Sequence, residues 1–384
     1  MPALPEKTSE TLLAARRFTR RSLLAALPLA SAAPGILAYG CSKGPGSLNL
    51  LMWSDEWPDP VLPNFTQKTG ITVNKTPFSQ NEEQIAKLQA DGAAFDLCQP
   101  TRDRAPQFKK LDLLAAWDQK KIPAKALLPY MLDSSASVWT WDGGLYHLPH
   151  VWGTEAMAWR TDKWQRAPAD LSFGDLWSGE VKGHIQGRPH SMLTGIGLWM
   201  DAAGTLPSNR MMDTYASPDA MKRVWTELTR FAVEHRTWVR QFWDSADDTK
   251  SGFTENDVWV GQTWDGPALS LKKSGEPVAY MAPKEGAIAW LDGLALVKGA
   301  KNIEQAYALL DYIYTPEVAA QIAEGSGYNA VIQDADQHLS AAAKQAFAEA
   351  YPDGAVENLW WRPPEPAWYA DLRNGFADQF KTAA

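Results

Sequence analysis

Leu48 to Trp53 is a short apolar run, which predicts a buried strand. Apolar residues then recur at helical spacing from Val61 to Lys68, and Gly70 stands where a helix C′ glycine is placed. Ile71 and Val73 alternate with polar neighbours and predict a second strand. Ser79-Gln80-Asn81-Glu82 has the pattern of a capping box. It opens a helix with Ile85, Ala86 and Leu88 on its apolar face and Gly92 at its end. Ala94 to Cys98 reads as a third strand, stopped by Pro100. This β-α-β-α-β order predicts an α/β fold with a mostly parallel sheet and helices on its faces.

The rest of the chain continues in the same style. Ser217-Pro218-Asp219 starts a helix whose buried stripe is Met221, Val224, Trp225, Leu228, Phe231 and Ala232. Val258 and Val260 lead into a strand ending at Trp264-Asp265-Gly266, and Asp292 to Val297 is another. Asn302 caps a helix running to Tyr314, and Thr315-Pro316-Glu317 begins the next, ending near Gly325. Trp360-Trp361-Arg362-Pro363-Pro364 is expected to be irregular, because proline removes a backbone donor.

The first 46 residues carry a different pattern. Arg16, Arg17, Arg20 and Arg21 precede the uncharged, Ala/Leu-rich run Leu23 to Leu37, which is too short to span a bilayer and reads as an export signal. Thr19-Arg20-Arg21-Ser22-Leu23-Leu24 resembles a twin-arginine signal. Two exits compete. Leu37-Ala38-Tyr39-Gly40-Cys41 looks like a lipobox, with Cys41 lipidated and followed by a flexible tether, whereas Ala30-Ser31-Ala32 is a small-x-small cleavage site. The expected location is the periplasm, with membrane attachment only through that lipid. Cys98 is then left without a disulfide partner and reads as a small buried hydrophobe.

Of the 384 residues, 21% are charged and the net charge is −8, so no basic face points to nucleic acid. The unusual feature is 19 Trp, a side chain suited to gripping something flat or cationic as well as to filling cores. The six His are scattered, and His147 and His150 fall on opposite faces of an extended segment, which argues against a shared metal. Tyr312 and Tyr314 likewise point to different helix faces. No metal site and no cofactor is expected. There is no nucleophile elbow, phosphate-cradling loop or zincin motif, so the chain is not read as an enzyme; an exported hydrolase is kept as the competing class.

Four stretches resemble the spermidine/putrescine-binding branch of the bacterial extracellular solute-binding proteins. They are Asn64 to Val73, Ser79 to Gln89, Leu148 to Thr154, and Pro283-Lys284-Glu285-Gly286 through Trp290, Asp292 and Gly299-Ala300-Lys301-Asn302. They keep the family's order, while the last fifty residues match poorly. The resemblance implies a two-lobe, type II periplasmic-binding-protein fold with the ligand in the cleft between lobes. It places lobe one at 47–152 plus 266–310 and lobe two at 153–265 plus 311–384. It also implies a monomer that serves an ABC permease and its ATPase; use of the same capture for sensing stays open.

An amine in such a cleft needs a carboxylate for each charged nitrogen, since a buried unpaired charge costs several kcal/mol. A Trp face adds ~0.5–2 kcal/mol. Trp and acid are paired at Trp53-Asp55-Glu56-Trp57, at Trp264-Asp265, and at Trp290 and Asp292, which share a face if extended. Trp264-Asp265 ends the strand that would cross between lobes, and Trp152 and Glu155 lie at the other crossing. The resemblance implies that Trp53, Asp55 or Glu56, Trp264, Asp265 and Trp290 line the pocket. Two departures bear on the ligand. Arg102 and Arg104 follow the third strand and are candidate contacts for an anionic solute. The segment His184 to Leu193 lacks the two acids that grip the far end of a polyamine. A shorter amine or a zwitterion therefore fits better than a long polyamine, with Glu155 as a substitute acid.

Overall fold

The computed structural model describes residues 46–167 and 170–383. The export signal, both cleavage patterns and Cys41 lie outside the described residues. In chain order, the elements that position the site are β1 (Ser47–Trp53), α1 (Val61–Thr69), β2 (Thr72–Phe78), α2 (Asn81–Asp91), β3 (Leu97–Cys98), β4 (Leu148–Arg160), β5 (Ile185–Gly187), α3 (Pro189–Ala202), α4 (Pro218–Glu234), β6 (Val260–Trp264), α5 (Asp265–Lys273), β7 (Ile288–Val297), α6 (Ile303–Ile313), α7 (Pro316–Ser326), β8 (Trp360–Trp361) and α8 (Ala367–Thr382).

The opening segments keep the expected order of elements, although the third strand is confined to Leu97–Cys98, with Gly92–Ala94 in a 3-10 turn before it. β1 pairs in parallel with β2 and β3. α1 closes on Gly70, which is left-handed at φ 74° and donates its N–H to the Thr66 carbonyl at 2.7 Å. The capping box does not form: Gln80 holds the N-cap position without a side-chain bond, and the Ser79 N–H donates to Glu83 instead. The inward face of α2 is Asn81, Gln84 and Leu88, with Ile85 half-buried and Ala86 exposed. Polar residues take this face because they have polar partners there. The Asn81 amide donates to Thr101 Oγ1 at 2.9 Å and the Gln84 amide to the Gln99 carbonyl at 2.7 Å.

Two long antiparallel strands, β4 and β7, carry the sheet across the molecule. Ile288 to Leu294 of β7 pair with β4, and Ala295 and Leu296 pair with β3. Every residue of β7 is buried, as a strand covered on both faces requires. The sequence pointed to the strand ending at Trp264 as the one that crosses. The structure gives that role to β7, which pairs with β4 along most of its length and with β3 at its end, whereas β6 pairs only with β4 and β5. β8 corrects another expectation. Trp360 and Trp361 pair in parallel with Ile288 and Ala289. The prolines start only at 363, so no missing donor interrupts the pairing.

Two large apolar cores flank the shared strands. One gathers Leu48, Leu50 and Phe65 with Leu309 and Leu310 of α6 and Val318 and Ile322 of α7. The other gathers Ile185, Leu193, Val224, Trp225 and Leu228 with Tyr369 and Phe380 of α8. The α4 stripe is buried as its spacing predicts, except that Phe231 sits half-buried at the core edge against Trp177 and Trp199. Cys98 is a buried free thiol, and burial raises its pKa strongly.

Candidate functional site

The sheet opens on a cleft at the carboxyl ends of β1, β3, β5 and β6, where α/β sheets place ligands. The space between its walls, with the open mouth included, is about 510 Å³. β1 delivers Trp53, Asp55 and Glu56; β6 delivers Trp264; β7 delivers Trp290 and Asp292; and β4 delivers Glu155. These residues, with Arg104, are the sequence-predicted ones that the cleft brings together.

One amide organises the β1 end. Gln99 Oε1 accepts from the Trp53 N–H at 3.1 Å and from Trp57 Nε1 at 2.7 Å, and Gln99 Nε2 donates to Glu56 at 2.9 Å. This clamp turns both Asp55 and Glu56 to the cleft, while Trp57 packs inside, stacked on His150 at 4.5 Å. Tyr328 donates to Asp55. Glu56 and Asp292 face each other without a cation between them. Burial, and then the Asp292 charge, push Glu56 well above the usual carboxylate range. Burial raises Asp292 to about 7. Asp55 is also raised, chiefly by burial. Asp292 is 4% exposed and Trp290 8%, yet Asp292 Oδ1 and Trp290 Nε1 have no hydrogen-bond partner. Buried polar atoms without partners at the wall of a cleft are docking points for something that enters it.

The opposite wall is basic. Arg104 meets Glu365 at 3.0 Å, Asp103 at 3.3 Å and Glu82 at 3.4 Å. Arg373 meets Glu82 at 2.9 Å and Glu365 at 3.1 Å. Burial would raise Glu82, but Arg104 and Arg373 outweigh it and hold its carboxyl at about 2. Arg362 donates to Glu155 at 2.9 Å and to Ser191 Oγ at 3.0 Å. Arg188 and His190 enter from the start of α3. Burial and the surrounding arginines depress the His190 pKa far below its usual value, so its ring is neutral at pH 7.

Four sequence candidates lie elsewhere. Trp57 is packed behind the clamp. Trp152 donates to the Ala330 carbonyl at 3.2 Å and packs against Tyr351 and Trp361. Asp265 is fully buried and accepts from the Thr154 and Gly266 N–H groups and from Tyr351, and burial raises it to about 7. Arg102 donates to the Ser134 and Arg362 carbonyls. His147 and His150 are buried apart, with burial lowering each to about 3. His147 bonds Ser135 and the Pro100 carbonyl. Tyr314 donates to the Pro149 carbonyl and Tyr312 packs on Phe65. No cluster of three or more His, Cys, Asp or Glu fit to hold a metal exists among the described residues.

Sequence reasoning missed Asn81, Thr101 and Asp103, and also Arg188, His190, Tyr328, Arg362 and Arg373. For Arg188 the signal was present in a segment read only for its missing acids. Arg362 and Arg373 sat in the stretch with the poorest family match.

Gly153 on β4 lets the wall close. A Cβ there would lie 2.4 Å from Trp290 Cζ2 and 2.7 Å from Asp265 Oδ1. Gly153→Ala is expected to destabilise the protein by about 1–3 kcal/mol and to weaken ligand binding by displacing the Trp290 indole. Urea unfolding and titration calorimetry check both effects.

This fold and cleft define a two-lobe solute-binding protein. The model of the bacterial extracellular solute-binding protein family matches residues 62–349, and the chain belongs to that family. Its members are binding components of transport and not enzymes. The chain is 29% identical over 307 residues to the spermidine/putrescine-binding periplasmic protein of Escherichia coli, covering 77% of this chain and 82% of that one. It is 25% identical over 291 residues to the putrescine/agmatine-binding protein of Pseudomonas aeruginosa, covering 73% and 77%. Among solved structures, the spermidine/putrescine ABC transporter substrate-binding protein of Streptococcus pneumoniae superposes with a TM-score of 0.68 at 25% identity, covering 88% of this chain and 99% of that one. The described residues contain no helix long and apolar enough to cross a membrane.

Proposed function

We propose that this chain is the substrate-binding component of an ABC importer and captures a small cationic or zwitterionic amine in its cleft. The observation that carries the reading is the acidic pole. Asp55, Glu56 and Asp292 converge with no lysine or arginine within ion-pair distance among the described residues, walled by Trp53, Trp264 and Trp290, and Asp292 Oδ1 lacks a partner. An ammonium entering there supplies the missing charge and donors, and the indole faces cover its methylenes. The names of the relatives support the same ligand class. A wholly anionic solute held by Arg102 and Arg104 has less support, because Arg102 is engaged by carbonyls and Arg104 by three carboxylates.

Export through a twin-arginine signal, a lipid on Cys41, a periplasmic location and a monomeric state belong to this proposal. So do the lobes expected from the sequence, with 311–351 moved to lobe one because Tyr312, Val318, Ile322 and Tyr351 share the core of Leu48 and Phe65.

Thermal unfolding of the purified protein against diamines, ω-amino acids, betaines and organic acids tests the reading. A ligand at 100 times its Kd adds about 2.7 kcal/mol to native stability. A raised midpoint with amines is expected. A response confined to carboxylates without an amine, or none across the panel, would overturn it.

A further inference from the structure

Every arginine lining the cleft except one has a carboxylate partner. Arg104, Arg362 and Arg373 are ion-paired, whereas Arg188 has no carboxylate within 4.0 Å among the described residues. Its guanidinium rests against two mutually packed indoles, 5.0 Å from the Trp243 ring centre and 4.6 Å from that of Trp264. Only one terminal nitrogen is engaged, by the Ser79 carbonyl at 3.3 Å and the Asp244 carbonyl at 3.1 Å. The side chain is partly exposed and lines the cleft. Burial pulls the Arg188 pKa below its usual value, and Glu155, Asp244 and Glu82 are the acids whose charge it feels. Each of these has a closer cation of its own: Arg362 for Glu155, Lys381 for Asp244, and Arg104 and Arg373 for Glu82. The protein therefore holds a guanidinium fork in its cleft with nitrogens to spare and no ion-pair partner within 4.0 Å among the described residues.

Two neighbours point the same way. Arg188 is the N-cap of the 14-residue helix α3, no side chain caps that helix, and its first turn presents the positive end of the helix dipole. Trp53, only 5% exposed, has an indole N–H without a partner, and its ring stands edge-on to Trp264 at 6.3 Å. An acceptor-bearing group beside Trp264 would answer both donors.

We propose that Arg188 is an anion subsite and that the ligand of this cleft is an amino carboxylate, its ammonium among Asp55, Glu56 and Asp292 and its carboxylate on the Arg188 fork. This rests on the amine reading above and narrows it. A planar guanidinium matches a carboxylate and repels a second ammonium, so the far end of the cleft selects against diamines. The two poles are close: Arg188 lies 4.6 Å from the Trp264 ring, and that ring is 6.3 Å from the ring of Trp53, two residues before Asp55. The ligand is therefore a short chain.

The test is titration calorimetry of the wild-type protein with diamines of two to six carbons and the ω-amino acids of equal length. At the best length the amino acid is expected to bind at least tenfold more tightly than its matched diamine. In Arg188→Gln the amino acid is expected to lose about 100-fold, the diamine to lose nothing, and Arg188→Lys to restore part of the difference. Diamines binding more tightly than matched amino acids in the wild-type protein would overturn the Arg188 assignment and leave the amine reading standing. Equal losses for both ligand classes in Arg188→Gln, with native circular dichroism, would also overturn it by showing a structural role. Failure of both classes to bind the wild-type protein would remove the amine reading and this inference with it.

Discussion

Asp292→Asn is expected to make the ligand-free protein more stable at pH 8 while weakening its hold on amines at least 100-fold. Asp292 is buried against Glu56, and burial raises its pKa from 3.8 to about 7. Between those two values the native state keeps a proton that the unfolded chain has released, so stability falls as pH rises through that window. Above pH 7 the full cost of ionising the buried group is present, about 4 kcal/mol by linkage. Asparagine keeps the shape and removes the titration. The variant should therefore match the wild type near pH 4 and exceed it by up to about 4 kcal/mol at pH 8, read from urea midpoints. The binding loss has the same origin, since the carboxylate whose charge is costly in the empty cleft is the one an ammonium would neutralise. A variant that binds amines normally would remove Asp292 from the acidic pole. Equal stability of both proteins at pH 8 would mean that Asp292 ionises without penalty in the native state.

Glu365→Gln is expected to lower stability by about 3–5 kcal/mol, the range for breaking a buried ion pair from one side. Glu365 is buried and receives Arg104 at 3.0 Å and Arg373 at 3.1 Å. With the glutamate neutralised, both buried guanidiniums depend on Asp103, itself raised by burial, and on the half-open Glu82. The network ties the loop after β3 and the start of α2 to α8, so its loss should loosen one wall of the cleft as well as lower the urea midpoint. A change below about 1 kcal/mol, typical of exposed pairs, would show that water already screens these charges.

The legible parts of the site were those whose geometry is local. Trp290 and Asp292 were expected on one face because alternate residues of a strand share a face, and both reach the cleft. Asp265 follows Trp264 directly, yet the strand-to-helix turn at the start of α5 sends Trp264 to the cleft and Asp265 into a cage of donors from Thr154, Gly266 and Tyr351. Local pattern could not separate them, because the cage is built from residues more than a hundred positions upstream and about ninety downstream. Trp57 and Trp152 illustrate the same limit. Each is a Trp near an acid, and each spends its N–H on an inner partner, Gln99 or the Ala330 carbonyl.

Hydrophobic periodicity and turn residues were enough for the α/β class, the opening β-α-β-α-β order and the α4 stripe, because these depend on spacings within one segment. The acids at β1, two and three residues beyond the strand's final Trp, were pointed to by the family resemblance and not by periodicity. The basic wall is of another kind. Arg104, Arg188 and the Arg362–Arg373 stretch are far apart in the chain, and the pairing of Arg104, Arg362 and Arg373 with Glu82, Glu155 and Glu365 exists only once α2, β4 and α8 have docked. Whether an arginine is neutralised or left free depends on which carboxylates lie within a few ångströms, a distance that is settled between segments and not along them. That is why Arg188, one arginine among many in the sequence, becomes in the folded chain the one cleft arginine among the described residues without a carboxylate partner.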